Sequence, residues 1–196
     1  MDVSREHTTR RAWIRWVLRK DVLSFLAAGV LLLLLYASAF QIYTIPSASM
    51  FPTLFRGDSV LVNRWIYRMH PPHRGDLIAF RFPQSSRREF VKRVVGLPGD
   101  FVNEEQGHFY VNGTLLAQAQ TIIPNDELAS AIHLIPRLVP ADRLYVLGDN
   151  PETSLDSRFW GTVDEQEVVG KVVLICWSRD KRWWQVRWDR LGRWLR

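Results

Sequence analysis

Several residue types are scarce in this chain, and each scarcity removes a class of function. There is one cysteine, Cys176, in 196 residues. No internal disulfide can form, and a zinc site built on several thiolates is excluded. Cys176 lies in an apolar stretch and reads as a small buried hydrophobe, not a reactive thiol. No HExxH or CxxC spacing occurs, so neither a metal nor any other cofactor is expected. The five histidines are His7, His70, His73, His108 and His133. None stands in an apolar strand beside a plausible nucleophile, which leaves a Ser-His-Asp triad without a base. Lysine is sparse too: Lys20, Lys92, Lys171 and Lys181 stand against 22 arginines. Charge itself is missing from residues 22–55.

What is present begins with a formal charge of +6 and a composition 47% apolar and 23% charged. That composition excludes a disordered chain. The basic excess raises nucleic acid or an anionic membrane as partner, and its distribution separates the two. Residues 1–21 carry a net +3, residues 179–196 a net +5 and residues 22–178 a net −2. A nucleic-acid-binding domain carries its basic stripe on the folded body, so nucleic acid is set aside and membrane lipid is kept. Residues 22–40 are nineteen mostly apolar positions. As helix, at ~1.5 Å rise each, they nearly match a hydrocarbon core of ~30 Å. Arg10, Arg11, Arg15, Arg19 and Lys20 precede them, with Trp13 and Trp16 as interface anchors. The positive-inside rule then places the N-terminus in the cytoplasm and everything after residue 40 outside. A cleaved signal peptide is the rival reading, since Ala37-Ser38-Ala39 has a small-x-small form. The apolar run and its leader are long for one. A buried core helix, the third reading, fits poorly with a segment apolar on every side.

Beyond residue 53 the chain reads as short strands, at 59–62, 77–82, 101–102, 144–147 and 168–177. Asn112-Gly113 between residues 109–111 and 114–116 is a strong hairpin signal. Gly-Asp recurs at 57, 75, 99 and 148, beside a strand each time, and the first three read as turn punctuation. The expected fold is therefore mainly β: a single N-terminal transmembrane helix followed by a β-rich domain. The expected boundaries are a cytoplasmic basic tail at 1–21, a transmembrane helix at 22–40 and an extracytoplasmic domain at 41–196. Within it, 103–143 is a smaller, variable subregion and 179–196 a basic, Trp-rich tail. As a helix, that tail would align Trp184, Trp188, Leu191 and Leu195 on one face, which suits a membrane interface.

Two features carry candidate chemistry. In Phe90-Val91-Lys92-Arg93-Val94-Val95, a strand puts Lys92 on the same apolar face as Phe90 and Val94. Desolvation there favours the neutral amine, which suits a general base; an edge lysine reaching for water is the plainer alternative. Residues 45–54 form an uncharged stretch pinned by Pro46 and Pro52, with Ser47 and Ser49 inside it. These serines are either linker polarity or an exposed nucleophile on a stiffened turn.

These residues also carry a resemblance. Ile45-Pro46-Ser47-Ala48-Ser49-Met50, followed by Pro52-Thr53-Leu54, resembles the nucleophile box of type I signal peptidases. Phe90-Val91-Lys92-Arg93-Val94-Val95-Gly96-Leu97-Pro98-Gly99-Asp100 resembles their lysine box. Gly148-Asp149-Asn150 with Ser154-Leu155-Asp156-Ser157-Arg158 resembles their third box, and the three occur in the family's order. The resemblance implies a signal-peptidase-like serine endopeptidase that removes signal peptides from translocated preproteins through an acyl-enzyme. Ser49 would be the nucleophile and Lys92 the base. The Ser47 hydroxyl and the Ser49 N–H would hold the oxyanion. Ser154 would orient Lys92, Asp156 and Arg158 would form a supporting pair, and Arg93 and Asp149 would stand close by. Ile45, Leu54 and Val91 would line the substrate pockets, where an extended peptide docks by strand addition. The implied setting is a bacterial-type plasma membrane or a thylakoid membrane, beside the secretion translocon. Two departures stand out: Ala48 where the family often has Gly, and Pro151-Glu152-Thr153 where it usually has Arg-Asp-Asn. The alternatives are a specialised peptidase maturing one secreted or pilus substrate, and a membrane-anchored scaffold without chemistry.

Overall fold

The structure, a computed structural model, describes residues 21–34, 36–82, 85–105, 108–120, 137–180 and 185–195. Most of the 1–21 tail, with His7, lies outside the described residues, as do His133 and Trp184. The chain divides into two units, Met1–Ala39 and Phe40–Arg196.

In the first unit, helix α1 spans Asp21–Ala39, 19 residues long and apolar enough to cross a membrane. Its side chains are exposed: Val22, Phe25, Leu32 and Leu33 each show more than half of their surface. The helix stops at Ala39 because Phe40 already belongs to a strand.

The second unit is built from strands. The larger sheet comprises β1 (Phe40–Thr44), β2 (Asp58–Asn63), β3 (Leu77–Phe82), β4 (Ser85–Gly96), β9 (Arg143–Leu147), β10 (Val163–Asp164) and β11 (Val168–Ser178). Their order across it is β1-β2-β11-β3-β4-β9-β10, and every pairing is antiparallel. The smaller sheet orders β7 (Thr114–Gln120), β6 (His108–Val111), β5 (Phe101–Glu105) and β8 (Arg137–Leu138). The fold is mainly β. Strand β1 was not legible in the sequence; its residues are largely exposed and lack the in–out alternation that marks β2.

Alternation places the cores. In β2, Asp58, Val60 and Val62 point inward, and Val60 and Val62 pack with Ile45, Met50, Leu54, Leu77, Ala79 and Ile175. A second cluster of Ile78, Phe80, Val94, Leu144 and Val146 lies under β3, β4 and β9. The Asn112-Gly113 turn has φ of 52° and 78°, the left-handed pair that a two-residue hairpin needs.

The first three Gly-Asp pairs close turns of one design. Asp58, Asp76 and Asp100 each accept the N–H three residues earlier, from Phe55, His73 and Leu97. The glycine in each has φ near +90°, at 91°, 93° and 82°, which Gly tolerates at no steric cost. Each aspartate is then paired with a distant cation: Arg190, Lys171 and Arg74 respectively.

The tail differs from the expected helix. Trp194 bridges Leu174 and Val186 bridges Arg179 as antiparallel contacts, and residues 188–190 form a single 3-10 turn. Leu195 is buried in the same core as Val60 and Ile175. The arm is extended because its backbone bonds to β11, where Leu195 N–H donates to Val173 O and Ile175 N–H to Arg193 O. Trp188 and Trp194 remain exposed, and Trp188 packs edge-on against Trp177.

Candidate active site

The loop between β1 and β2 carries the two serines. It is a tight turn: Phe51 N–H donates to Ala48 O at 3.1 Å and Leu54 N–H to Met50 O at 2.8 Å. Met50 and Leu54 are its buried anchors, at 1% and 0% exposure. Leu54 therefore belongs to the core. An apolar side chain facing inward at this position holds the loop down. Ser49 stands just above, with its Oγ 3.2 Å from Ser47 Oγ.

Lys92 lies mid-strand in β4 and is 3% exposed. It sits opposite Ile78, with Phe90 opposite Phe80, and Ile78, Phe80 and Val94 belong to one core cluster that Phe90 packs against. Its Nζ donates to Ser154 Oγ at 2.9 Å. Burial lowers its pKa to about 8, with Arg158 pushing the same way and Asp156 and Asp149 opposing. Desolvation wins because both carboxylates are already engaged by guanidinium groups.

Those engagements define the third segment, between β9 and helix α2 (Ser157–Trp160). Asp156 takes Arg158 Nε at 2.8 Å and Nη2 at 3.0 Å, and it accepts the Gly148 N–H at 3.0 Å. The pair is buried, and Arg158 Nη2 also donates to Pro151 O and Ser154 O. Asp149 takes Arg93 Nε at 2.8 Å and Nη2 at 2.7 Å. Arg93 also reaches Gly75 O and Thr53 Oγ1, so it ties β4, the third segment and the serine loop together.

Two residues matter more than the sequence indicated. Asn150 latches the serine loop: its N–H donates to Ser49 O at 3.0 Å and its Nδ2 to Ala48 O at 3.2 Å. Gly148 lets the pieces close. A Cβ there would stand 2.1 Å from Ser154 Oγ and 2.6 Å from Ser49 O. It is also the one Gly-Asp glycine without a positive φ, so close approach, not turn geometry, requires it. Both are long-range contacts that residue spacing does not encode.

A cleft of about 270 Å³ brings these parts together, lined by Tyr43, Ile45, Ser47, Ser49, Val91 and Lys92 among others. Ile45 and Val91 thus stand in its wall, and Leu54 does not. Among the described residues, Ser49 Oγ bonds only to Ser47 and Lys92 Nζ only to Ser154. The serine and the lysine share the cleft without a direct hydrogen bond. Strand edges border it: among the described residues β1 pairs only with β2, and β9 takes the outer edge of β4 only from Arg93 onward.

Fold and site together define a class: a β-sheet domain behind an apolar helix, with a loop serine and a desolvated lysine in one cleft. A family model described as "Signal peptidase, peptidase S26" matches residues 13–177. The signal peptidase I of Leptolyngbya laminosa is 39% identical over 140 residues, 68% of this chain and 66% of that protein. The signal peptidase I of Pseudomonas aeruginosa is 31% identical over 201 residues, covering 79% and 71%. Thylakoidal processing peptidase 1, chloroplastic, of Arabidopsis thaliana is 32% identical over 148 residues, covering 70% and 42%. The chain belongs to the signal peptidase, peptidase S26 family. It spans about two thirds of the Leptolyngbya relative and under half of the plant one. The apolar helix and this membership make it a membrane-associated protein.

Proposed function

We propose that this chain is a membrane-bound serine endopeptidase that removes signal peptides from preproteins, with Ser49 as nucleophile and Lys92 as general base. The observation that carries the reading is the Lys92 amine, buried against a neutral hydroxyl in the cleft that holds Ser49. A lysine kept for structure is paired with a carboxylate. This one is left where part of it is neutral near pH 8, which is the state a base needs.

The steps follow from the atoms. Neutral Lys92 Nζ takes the proton of Ser49 Oγ as that oxygen bonds the scissile carbonyl carbon. The carbonyl oxygen becomes an oxyanion, held by the Ser49 N–H and the Ser47 hydroxyl. The C–N bond then breaks, and the Lys92 ammonium gives its proton to the departing amine. Lys92 next takes a proton from water as that water bonds the ester carbon; the bond from the carbon to Ser49 Oγ then breaks, the acyl product leaves, and the Lys92 ammonium returns its proton to Ser49 Oγ. For the first step Ser49 Oγ would exchange its Ser47 partner for Lys92. Ser154 aims the amine, and the buried Asp156–Arg158 pair holds Ser154 through its carbonyl.

The substrate would lie extended in the cleft, between the free edges of β1 and of β4 at Glu89–Lys92. Small side chains suit its shallow wall of Ile45, Val91 and Leu155. Helix α1 would cross a plasma or thylakoid membrane with the basic tail in the cytoplasm or stroma and the catalytic domain opposite. Lipid and the translocon would be its neighbours.

The test is cleavage of a preprotein by the full chain in detergent micelles, beside Ser49→Ala and Lys92→Ala. Wild type is expected to release a mature protein, and an acylating inhibitor is expected to label Ser49. Normal cleavage by folded Lys92→Ala would overturn the dyad. No labelling and no cleavage by wild type would favour the scaffold reading.

A further inference from the structure

We infer that the C-terminal arm positions the nucleophile loop, with Arg190 as the positioning residue; this rests on the function proposed above. The arm follows the segment matched by the family, which ends at residue 177, yet its guanidinium groups grip the loop that carries Ser49. Arg190 is 3% exposed. Its Nη2 donates to Thr53 O at 2.9 Å and to Asp58 Oδ2 at 2.6 Å, and its Nε donates to Asp58 Oδ1 at 3.3 Å. The same group stacks on the Phe55 ring, 3.7 Å from its centroid. Asp58 in turn accepts the Phe55 N–H at 2.8 Å and the Ser178 hydroxyl at 2.5 Å. One fork therefore fixes Thr53, Phe55 and Asp58 at once.

Arg187 adds a second hold. It donates to Ser178 Oγ, Arg56 O and Arg179 O. The start of the arm packs so closely on the Gly57 turn that a Cβ at Gly57 would stand 2.3 Å from Arg179 O.

Thr53 is the point where the two sides of the site meet. Arg93 donates to its Oγ1 from the β4 side and Arg190 to its carbonyl from the arm. The loop between Thr53 and Ser49 is a closed turn, with Leu54 N–H bonded to Met50 O. A shift at Thr53 is therefore passed to Ser49 rather than absorbed. Attack on a carbonyl tolerates little misplacement, and about 1 Å costs on the order of 10²-fold in rate. The arm thus acts on catalysis through the loop, without touching substrate.

The experiment measures kcat and KM on a preprotein for the full chain, with thermal unfolding in parallel. Arg190→Ala is expected to lower kcat about 10²-fold, with KM and the pH of the Lys92 limb unchanged. Arg190→Lys keeps a cation beside Asp58 but loses the fork that also reaches Thr53, and it is expected to fall between the two. If Arg190→Ala does not fold, Arg190→Lys decides. A wild-type kcat per folded molecule in the deciding variant would overturn the inference, as would a loss of activity accounted for entirely by a smaller folded fraction. If wild type cleaves no preprotein, the proposed function fails instead. Slower labelling of Ser49 by an acylating reagent in the variant would then still support the arm's role, and equal labelling would end it.

Discussion

Lys92 and Lys171 stand in one row of the large sheet, each opposite Ile78 on either side of β3. Their surroundings are opposite. Lys171 Nζ is 2.5 Å from Asp76 Oδ1, and its side chain is 23% exposed. Lys92 is 3% exposed and, among the described residues, has only the Ser154 hydroxyl as a hydrogen-bond partner. Carboxylates are present near Lys92, but Asp156 sits in the fork of Arg158 and Asp149 in that of Arg93. The sheet supplies a counter-charge to one lysine and assigns it elsewhere at the other. Without a free counter-charge, burial moves Lys92 toward neutrality.

The sharpest test of that contrast is activity. Lys92→Ala is expected to lower kcat by about 10³-fold or more, the scale of a lost general base, while Lys171→Ala leaves kcat within the range of wild type. Initial rates of preprotein cleavage decide it. Equal losses in both variants would mean that the two lysines serve the same structural purpose.

Stability against pH separates them next. The Lys92 pKa is lowered from 10.5 to about 8 in the fold. Between those values the unfolded chain holds a proton that the folded chain has released. Stability from this group therefore rises with pH across that window, and below it the full cost of burying the ammonium applies. Lys92→Met removes a cost on the order of 3 kcal/mol below pH 8. Denaturant melts at pH 7 and pH 10 should show the variant ahead of wild type at the lower pH, with the gap closing at the higher. The rate limb should rise with pH through about 8, since only the neutral amine accepts the serine proton.

Gly148→Ala probes the partner of Lys92 from behind. The added methyl overlaps Ser154 Oγ and Ser49 O, so either the lysine loses its hydroxyl or the loop moves. A lost hydrogen bond to a charged group is about 1.5–3 kcal/mol, or roughly 10- to 10²-fold in rate. Gly75→Ala, where no atom lies within 4 Å of the added Cβ, is the control: its strain comes from φ alone, and kcat should hold.

What the sequence made legible follows what each feature depends on. The apolar face of Lys92 follows from strand alternation, and the Asn112-Gly113 turn from local dihedral preference, so both were readable. The serine, lysine and Gly-Asp-Asn segments were readable through resemblance. Gly148 and Asn150 act across a hundred residues, on Ser49 O and Ala48 O, and no local pattern carries that. Leu54 read as a pocket wall only through the resemblance, yet the turn directs it into the core. The tail read as a helix from its Trp and Leu spacing. Pairing with β11 prevailed, because Leu195 gains a core and the arm's N–H groups gain partners.

The smallest expected effect lies on the Lys171 side and isolates its counter-ion. Asp76 is buried, which alone would raise its pKa, but bonds from Lys171, the His73 N–H and Tyr67 outweigh that and hold it below 3.8. A carboxylate held low contributes stability above its unfolded pKa and loses it as pH falls through the folded one. Lys171→Met leaves Asp76 with its Tyr67 and His73 bonds but no cation, and should cost about 1–3 kcal/mol at pH 7. Acidification below the ordinary carboxylate range should close the gap to wild type, since protonated Asp76 no longer needs the cation. A gap that persists at low pH would assign the loss to packing of the Lys171 stem, and the row of two lysines would then differ in burial alone.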